Sequence, residues 1–273
     1  IALYQTYRNR NPFDVDGDSF SEIGKLNMNT FGLRAYYRPT QFSRLNLEYH
    51  TTNEFRRGGN KFDLEPFETD ITEQTKHVIN SGGLTYDIFW KEYKHKLSFY
   101  TSAQHVDRNS YYGAQQDPNA YGKTKDLTFV GGGMYVGNFN KVLFAPATFT
   151  AGLEYQHNKM HDIMAGYNRD LVQKVKIASA FFQNEWKIND FTLLAGFRLD
   201  DHNLIDNLIF SPRVNMLYKP SDAFQGRLTW STGFRAPQAF DEDLHIDNVG
   251  GTVFMIRLAD DLSVEKSQSV SVS

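Results

Sequence analysis

The residues best suited to chemistry stand in three short clusters. In the first, Asp14-Val15-Asp16-Gly17-Asp18 followed by Glu22 sets carboxylates at alternate positions around a turn glycine. Calcium takes roughly six to eight oxygen ligands, so this spacing can gather Asp14, Asp16, Asp18 and Glu22 on one ion. The loop is not an EF-hand, because counted from Asp14 the Gly and Glu positions hold Ser19 and Lys25. The plain alternative is a solvated acidic loop. In the second cluster, His157, Met160, His161 and Met164 are spaced so that one helical turn would stack His on His and Met on Met. Imidazole and thioether together suit copper or haem iron. The competing reading is a strand-to-loop junction with hydrogen-bonded histidines and packed methionines. The third cluster, Asp200-Asp201-His202, could serve acid–base chemistry at the rim of a barrel hydrolase. Neighbours on a strand point to opposite faces, however, which makes Asp201 and His202 a poor pair.

The elements around these clusters read as strands. Leu45, Leu47, Tyr49 and Thr51 alternate with Arg44, Asn46, Glu48 and His50, and Phe191, Leu193, Ala195, Phe197 and Leu199 alternate with Thr192, Gly196, Arg198 and Asp200. A period of two over that length gives a strand with one apolar and one polar face. Residues 25–37, 96–106, 147–155, 175–187, 213–219 and 227–235 repeat the pattern; 72–87 and 124–137 blur it, where Gly82-Gly83 suits a bulge and Gly131-Gly132-Gly133 obscures the two faces. The connections alternate between short turns, such as 38–43 and 188–190, and long polar stretches, expected at 56–71, 107–123 and 157–174. That is an all-β, antiparallel up-and-down membrane barrel, with short turns on one rim and long loops on the other. The longest connection, 241–261, places Phe240, His245, Phe254 and Arg257 to touch a ligand or a surface lipoprotein, or to pack the loop. Arg34, Arg44, Glu48, Arg213 and Arg227 fall on the polar face as a lumenal electrostatic network.

Composition agrees. The 273 residues carry no cysteine, a formal net charge of -3 and 15% aromatics. The charge is near neutral without a basic block, which argues against nucleic acid. A mean hydropathy of -0.52 does not exclude a barrel, whose lumenal residues dilute its lipid-facing ones. About ten complete and two partial strands are expected, beginning without a signal peptide and stopping mid-pattern, as a fragment would.

The stretch Ser231-Thr232-Gly233-Phe234-Arg235-Ala236-Pro237, then a long loop, then Leu262-Ser263-Val264-Glu265-Lys266-Ser267, resembles the TonB-dependent outer-membrane receptors. Their barrels carry a Ser-x-Gly-Phe-Arg-Ala-Pro strand end and a Leu-x-x-Glu-x-Ser entry. The resemblance implies a twenty-two-stranded barrel with an N-terminal plug, of which residues 1–273 form a barrel segment without the plug. It further implies no enzyme activity. The expected function is active import of a scarce, large nutrient across the Gram-negative outer membrane, driven by the TonB complex through the plug. Membrane lipid and a surface lipoprotein are the other expected partners. The acidic loop favours cobalamin, since cobalamin receptors of this family carry aspartate-lined calcium sites; ferric siderophores and haem follow. An outer-membrane barrel hydrolase or a passive porin are the alternatives.

Overall fold

The alternating segments pair into one antiparallel sheet in a computed structural model that describes residues 1–236 and 263–273. In chain order the strands are β1 (Ala2–Arg10), β2 (Ser21–Tyr37), β3 (Ser43–Gly59), β4 (Ile71–Trp90), β5 (His95–Ala114) and β6 (Tyr121–Val142). They continue as β7 (Ala145–Met164), β8 (Arg169–Ile188), β9 (Phe191–His202), β10 (Ile209–Ser221), β11 (Phe224–Arg235) and β12 (Glu265–Val272). Each strand pairs with its sequence neighbours without a crossover, in the order β1 to β12. Local connection is the cheapest way to build so large a sheet, because each hairpin closes a short loop.

Parity along each strand separates the two faces as the alternation predicts. One face lines a recess of about 730 Å³, to which β4 gives Thr75, His77 and Ile79, β5 Gln104, Val106 and Arg108, and β7 Gln156, Asn158 and Met160. The concave face is thus the polar lumen. The other face leaves Phe31, Leu47, Leu153, Phe197, Val214 and Met216 exposed, with Leu153 at 67%. Rows of this kind are costly in water and stable against acyl chains.

Aromatic rings band this apolar face near the rim of short turns. Trp90, His95 and Tyr135 stack at centroid distances of 5.5–6.0 Å, and His95 meets Phe139 edge-on at 5.4 Å. Phe149, Phe182, Phe197 and Phe210 continue obliquely across β7 to β10. Trp186 stacks on Phe144 and donates its indole N–H to the Val142 carbonyl at 3.0 Å. An amphipathic ring with one wet end fits a membrane–water interface.

Two expectations change. The polar stretches 107–123 and 157–174 are mostly strand: β5 and β6 leave only 115–120 between them, and β7 and β8 only 165–168. Strands of up to 22 residues exceed the roughly 9–11 needed to cross hydrocarbon, so their polar ends continue as hairpins beyond the membrane. Both faces there meet water, which erases the alternation that marks the spanning half. The second change concerns the glycines: Gly82-Gly83 is not a bulge, since its register with β3 and β5 is unbroken. The ladder likewise runs on through Gly131-Gly132-Gly133, where Tyr100, Gly132 and Glu154 lie side by side on β5, β6 and β7.

Candidate functional site

The lumen wall contains a continuous hydrogen-bonded network at mid-height. Arg198 donates from Nη2 to Glu154 Oε1 at 2.8 Å and to Ser179 Oγ at 2.7 Å, and from Nε to Asp200 Oδ1 at 2.8 Å. Ser179 Oγ donates to Asp200 Oδ1 at 2.6 Å, and Tyr100 donates its hydroxyl to Glu154 Oε2 at 2.7 Å. Tyr100 reaches Glu154 from two strands away because Gly132 stands between them. A Cβ there would lie 2.6 Å from the Tyr100 ring and 2.7 Å from the Leu153 carbonyl oxygen. Strand glycines of this kind mark a close approach rather than a break. Of the other lumenal charges foreseen, Arg34 and His50 flank Glu48 at 3.5 and 3.8 Å, Arg44 lies over the Phe89 ring, and Arg213 donates to Gln183.

Higher on the same wall, the recess has its own cluster. Arg108 donates to Thr124 Oγ1 at 3.0 and 3.2 Å, Thr124 donates to Asp162 Oδ1 at 2.6 Å, and Arg169 meets Asp162 Oδ2 at 3.1 Å. Sequence reading missed this group because Arg108, Asp162 and Arg169 stand in stretches taken for loops, and Thr124 opens a strand whose faces the pattern blurs. Beyond it, Asp117 ties two hairpins together: its carboxylate accepts from the Tyr167 hydroxyl at 2.6 Å and the Asn119 amide at 2.8 Å, and its carbonyl accepts from Tyr111. The Tyr167 hydroxyl, then the Asn119 amide, hold this carboxyl below its ordinary value. Burial pushes the Tyr111 phenol up to about 12.

The acidic loop between β1 and β2 brings its four carboxylates together. Oxygens of Asp14, Asp16, Asp18 and Glu22 converge within 4.8 Å of one another. Asp14 accepts from the Gly17 and Ser19 amides, Asp16 from Asp18, Asp18 from Phe20, and Glu22 from Val15. Each carboxylate keeps lone pairs beyond these bonds, so a hard oxygen-ligated cation fits the donor set.

The His/Met cluster is not a helical turn. His157, Met160, His161 and Met164 all lie in β7, where period two separates histidines from methionines. Met160 and Met164 are buried on the lumen face, whereas His157 and His161 point outward. His161 bonds Asp170 at 2.7 Å, and the His157 Nδ1 is buried without a partner. Four positions along a strand span about 13 Å, too far for one ion to join both imidazoles. Asp200 is committed to Ser179 and Arg198, and the buried His202 accepts from the Leu204 amide through Nδ1, so the hydrolase-like trio does not assemble. Phe240, His245, Phe254 and Arg257 lie outside the described residues.

The two motifs noted at the end of the chain meet in space. Arg235 and Glu265 are register partners across β11 and β12 and form a two-pronged ion pair at 2.7 and 3.0 Å. The family described as "TonB dependent receptor-like, beta-barrel" matches residues 2–273. The chain belongs to this family. Its place is the outer membrane, and the family is one of receptor barrels, not of enzymes.

No curated protein matches the chain by sequence. Among solved structures it is similar to the siderophore receptor PirA from Pseudomonas aeruginosa, with TM-score 0.73 and 14% identity over 99% of this chain and 45% of that one. PirA from Acinetobacter baumannii gives TM-score 0.70 and 17% identity over 86% and 38%. The outer membrane transporter YddB from Escherichia coli gives 0.65 and 10% over 99% and 43%. The chain therefore spans less than half the length of these relatives.

Proposed function

We propose that the chain is the barrel segment of an active importer, which takes up a scarce nutrient too large for passive diffusion and draws energy from the TonB complex through a plug. The lumen wall carries this reading. Its charged and hydroxyl side chains are oriented by one another, which suits a surface that must hold a polar domain and release it repeatedly. Burying unpaired charge there would cost several kcal/mol, whereas a satisfied network can meet a polar partner at little cost.

A ferric siderophore is the ligand we place first. The two PirA relatives are described as siderophore receptors, and the recess sets Arg56, Arg108 and Tyr112 among Glu54, Glu73 and Asp126, a polar lining of mixed charge that can meet the many oxygens of a large chelate. Cobalamin comes second and rests on the acidic loop; haem comes third, since the outward histidines do not face the lumen. We also assign calcium to Asp14, Asp16, Asp18 and Glu22, as an ion that orders the loop rather than one that reacts. A surface lipoprotein remains the proposed partner for the loop that holds Phe240, His245, Phe254 and Arg257.

Calorimetry on the full-length receptor in nanodiscs tests the ligand. A ferric catecholate or hydroxamate binding at nanomolar to micromolar level, with cellular uptake abolished when TonB is absent, supports the proposal. Uptake that persists without TonB would sink the importer reading. Cobalamin binding that weakens about tenfold or more with a calcium chelator, and equally in Asp16→Ala/Asp18→Ala, would move cobalamin to first place.

A further inference from the structure

The outward face of β6, β7 and β8 carries a basic patch that transport does not explain. Lys123, Lys125, Lys159, Lys174 and Lys176 are all exposed there. Register places Lys159 directly opposite Lys174, His157 opposite Lys176, and Lys125 opposite His161. Like charges directly opposed on a sheet are destabilising, so a pair such as Lys159 and Lys174 is a standing cost. None of the five lysines makes an ion pair among the described residues, although Asp107 lies across the register from Lys125. Asp170, the acidic residue outward on these three strands, is held by His161.

Height decides what could offset the repulsion. Phe149 belongs to the aromatic band, and Lys159 lies ten positions further along β7. At about 3.3 Å per residue and a tilt of about 40°, that is roughly 25 Å along the membrane normal, the height of the apolar band. Leu153, Tyr155 and Phe129 lie below the lysines on the lipid face. The patch therefore sits at the level of lipid headgroups, on the rim opposite the short turns.

We propose that this patch binds the phosphate groups of an anionic outer-leaflet lipid, a phosphorylated glycolipid of the lipid A class. The exposed ammonium groups on three adjacent strands present several cations to a headgroup with two phosphates. The apolar surface below receives its acyl chains. One bound lipid would thus offset the Lys159–Lys174 repulsion and cover Leu153. The inference rests on the membrane-spanning reading and is independent of which nutrient is imported.

The test is native mass spectrometry of the full-length receptor released from zwitterionic detergent, with lipid A, its form lacking phosphate, or inorganic phosphate added. A basic side chain near an anionic lipid surface is worth roughly fivefold in affinity, so Lys159→Gln/Lys174→Gln should weaken lipid A retention by about twenty-five-fold. Lys91→Gln/Lys94→Gln, at the short-turn rim, should leave it unchanged. In lipid-free detergent Lys159→Gln/Lys174→Gln should be at least as heat-stable as the parent, which separates lost binding from lost folding. Equal lipid A retention by parent and variant overturns the proposal. So does equal retention of the phosphate-free lipid, or displacement of lipid A by millimolar inorganic phosphate, which would make the patch a free-anion site.

Discussion

Arg198 touches three acceptors at once, and its removal tests whether the lumen network is structural. Arg198→Met keeps the alkyl stem but leaves Glu154 with Tyr100 alone and Asp200 with Ser179 alone. Breaking a half-buried charge network by one partner should cost about 1–3 kcal/mol, seen as a lower urea midpoint in folded, heat-modifiable barrel. Ser179→Ala should cost about 1 kcal/mol or less. If Arg198→Met unfolded at the parental midpoint, the network would have no structural role. Asp117 supplies a pH prediction of definite sign. Its folded carboxyl titrates below the ordinary value of 3.8, so its stabilisation is present above that pH and lost as pH falls through the depressed value. Amides of residues 115–120 should exchange faster as pH drops below about 4, after correction for intrinsic rates. In Tyr167→Phe this protection should be weaker at neutral pH and depend less on acid. A parent and variant with identical profiles would remove Asp117 as the tie.

At the scale of the strand, facing is the sharpest claim. Leu193 shares its face with Trp186 and Met216, and Leu194 with Glu185 and Asn215. Leu193 stands opposite Trp186 in the interfacial band, so Leu193→Arg should cost up to about 1 kcal/mol of barrel stability, while Leu194→Arg costs less. Equal yields of assembled protein from both would reverse or abolish the assignment. Gly132→Ala is the matching test on the lumen face, since its Cβ meets the Tyr100 ring and the Leu153 carbonyl. It should displace the tyrosine from Glu154, measurable as a shifted tyrosine absorbance and a lower thermal midpoint. The alternation made these faces legible in the sequence wherever one side meets lipid and the other water. It failed where both sides meet water, which is why the upper halves of β5 to β8 read as loops. The same failure made His157 and His161 look like a metal pair, because their spacing is diagnostic only if the backbone is helical. The convergence of Asp14, Asp16, Asp18 and Glu22 was legible for the opposite reason: it follows from local spacing and needs no strand partner.

At the scale of the molecule, β1 and β12 each pair on one side only among the described residues, and they do not pair with each other. Unsatisfied strand edges are not tolerated in hydrocarbon, so in the membrane both edges must find partners. A twelve-stranded closure would seal β1 onto β12; a wider barrel would insert other strands between them. The similar structures are more than twice as long as this chain, and the wider barrel leaves room for the polar plug that the lumen network would hold. Disulfide trapping in the full-length receptor decides between the two. A Phe31→Cys/Thr51→Cys pair, directly opposed on β2 and β3, should cross-link readily as the positive control. Pairs joining β1 to β12, such as Leu3→Cys/Val270→Cys, should remain reduced under the same oxidant, because bridged Cα atoms must lie within about 7 Å. Efficient cross-linking of the second pair would mean a narrow, closed barrel. Its lumen would be too small for a folded plug, and the importer reading would fail with it.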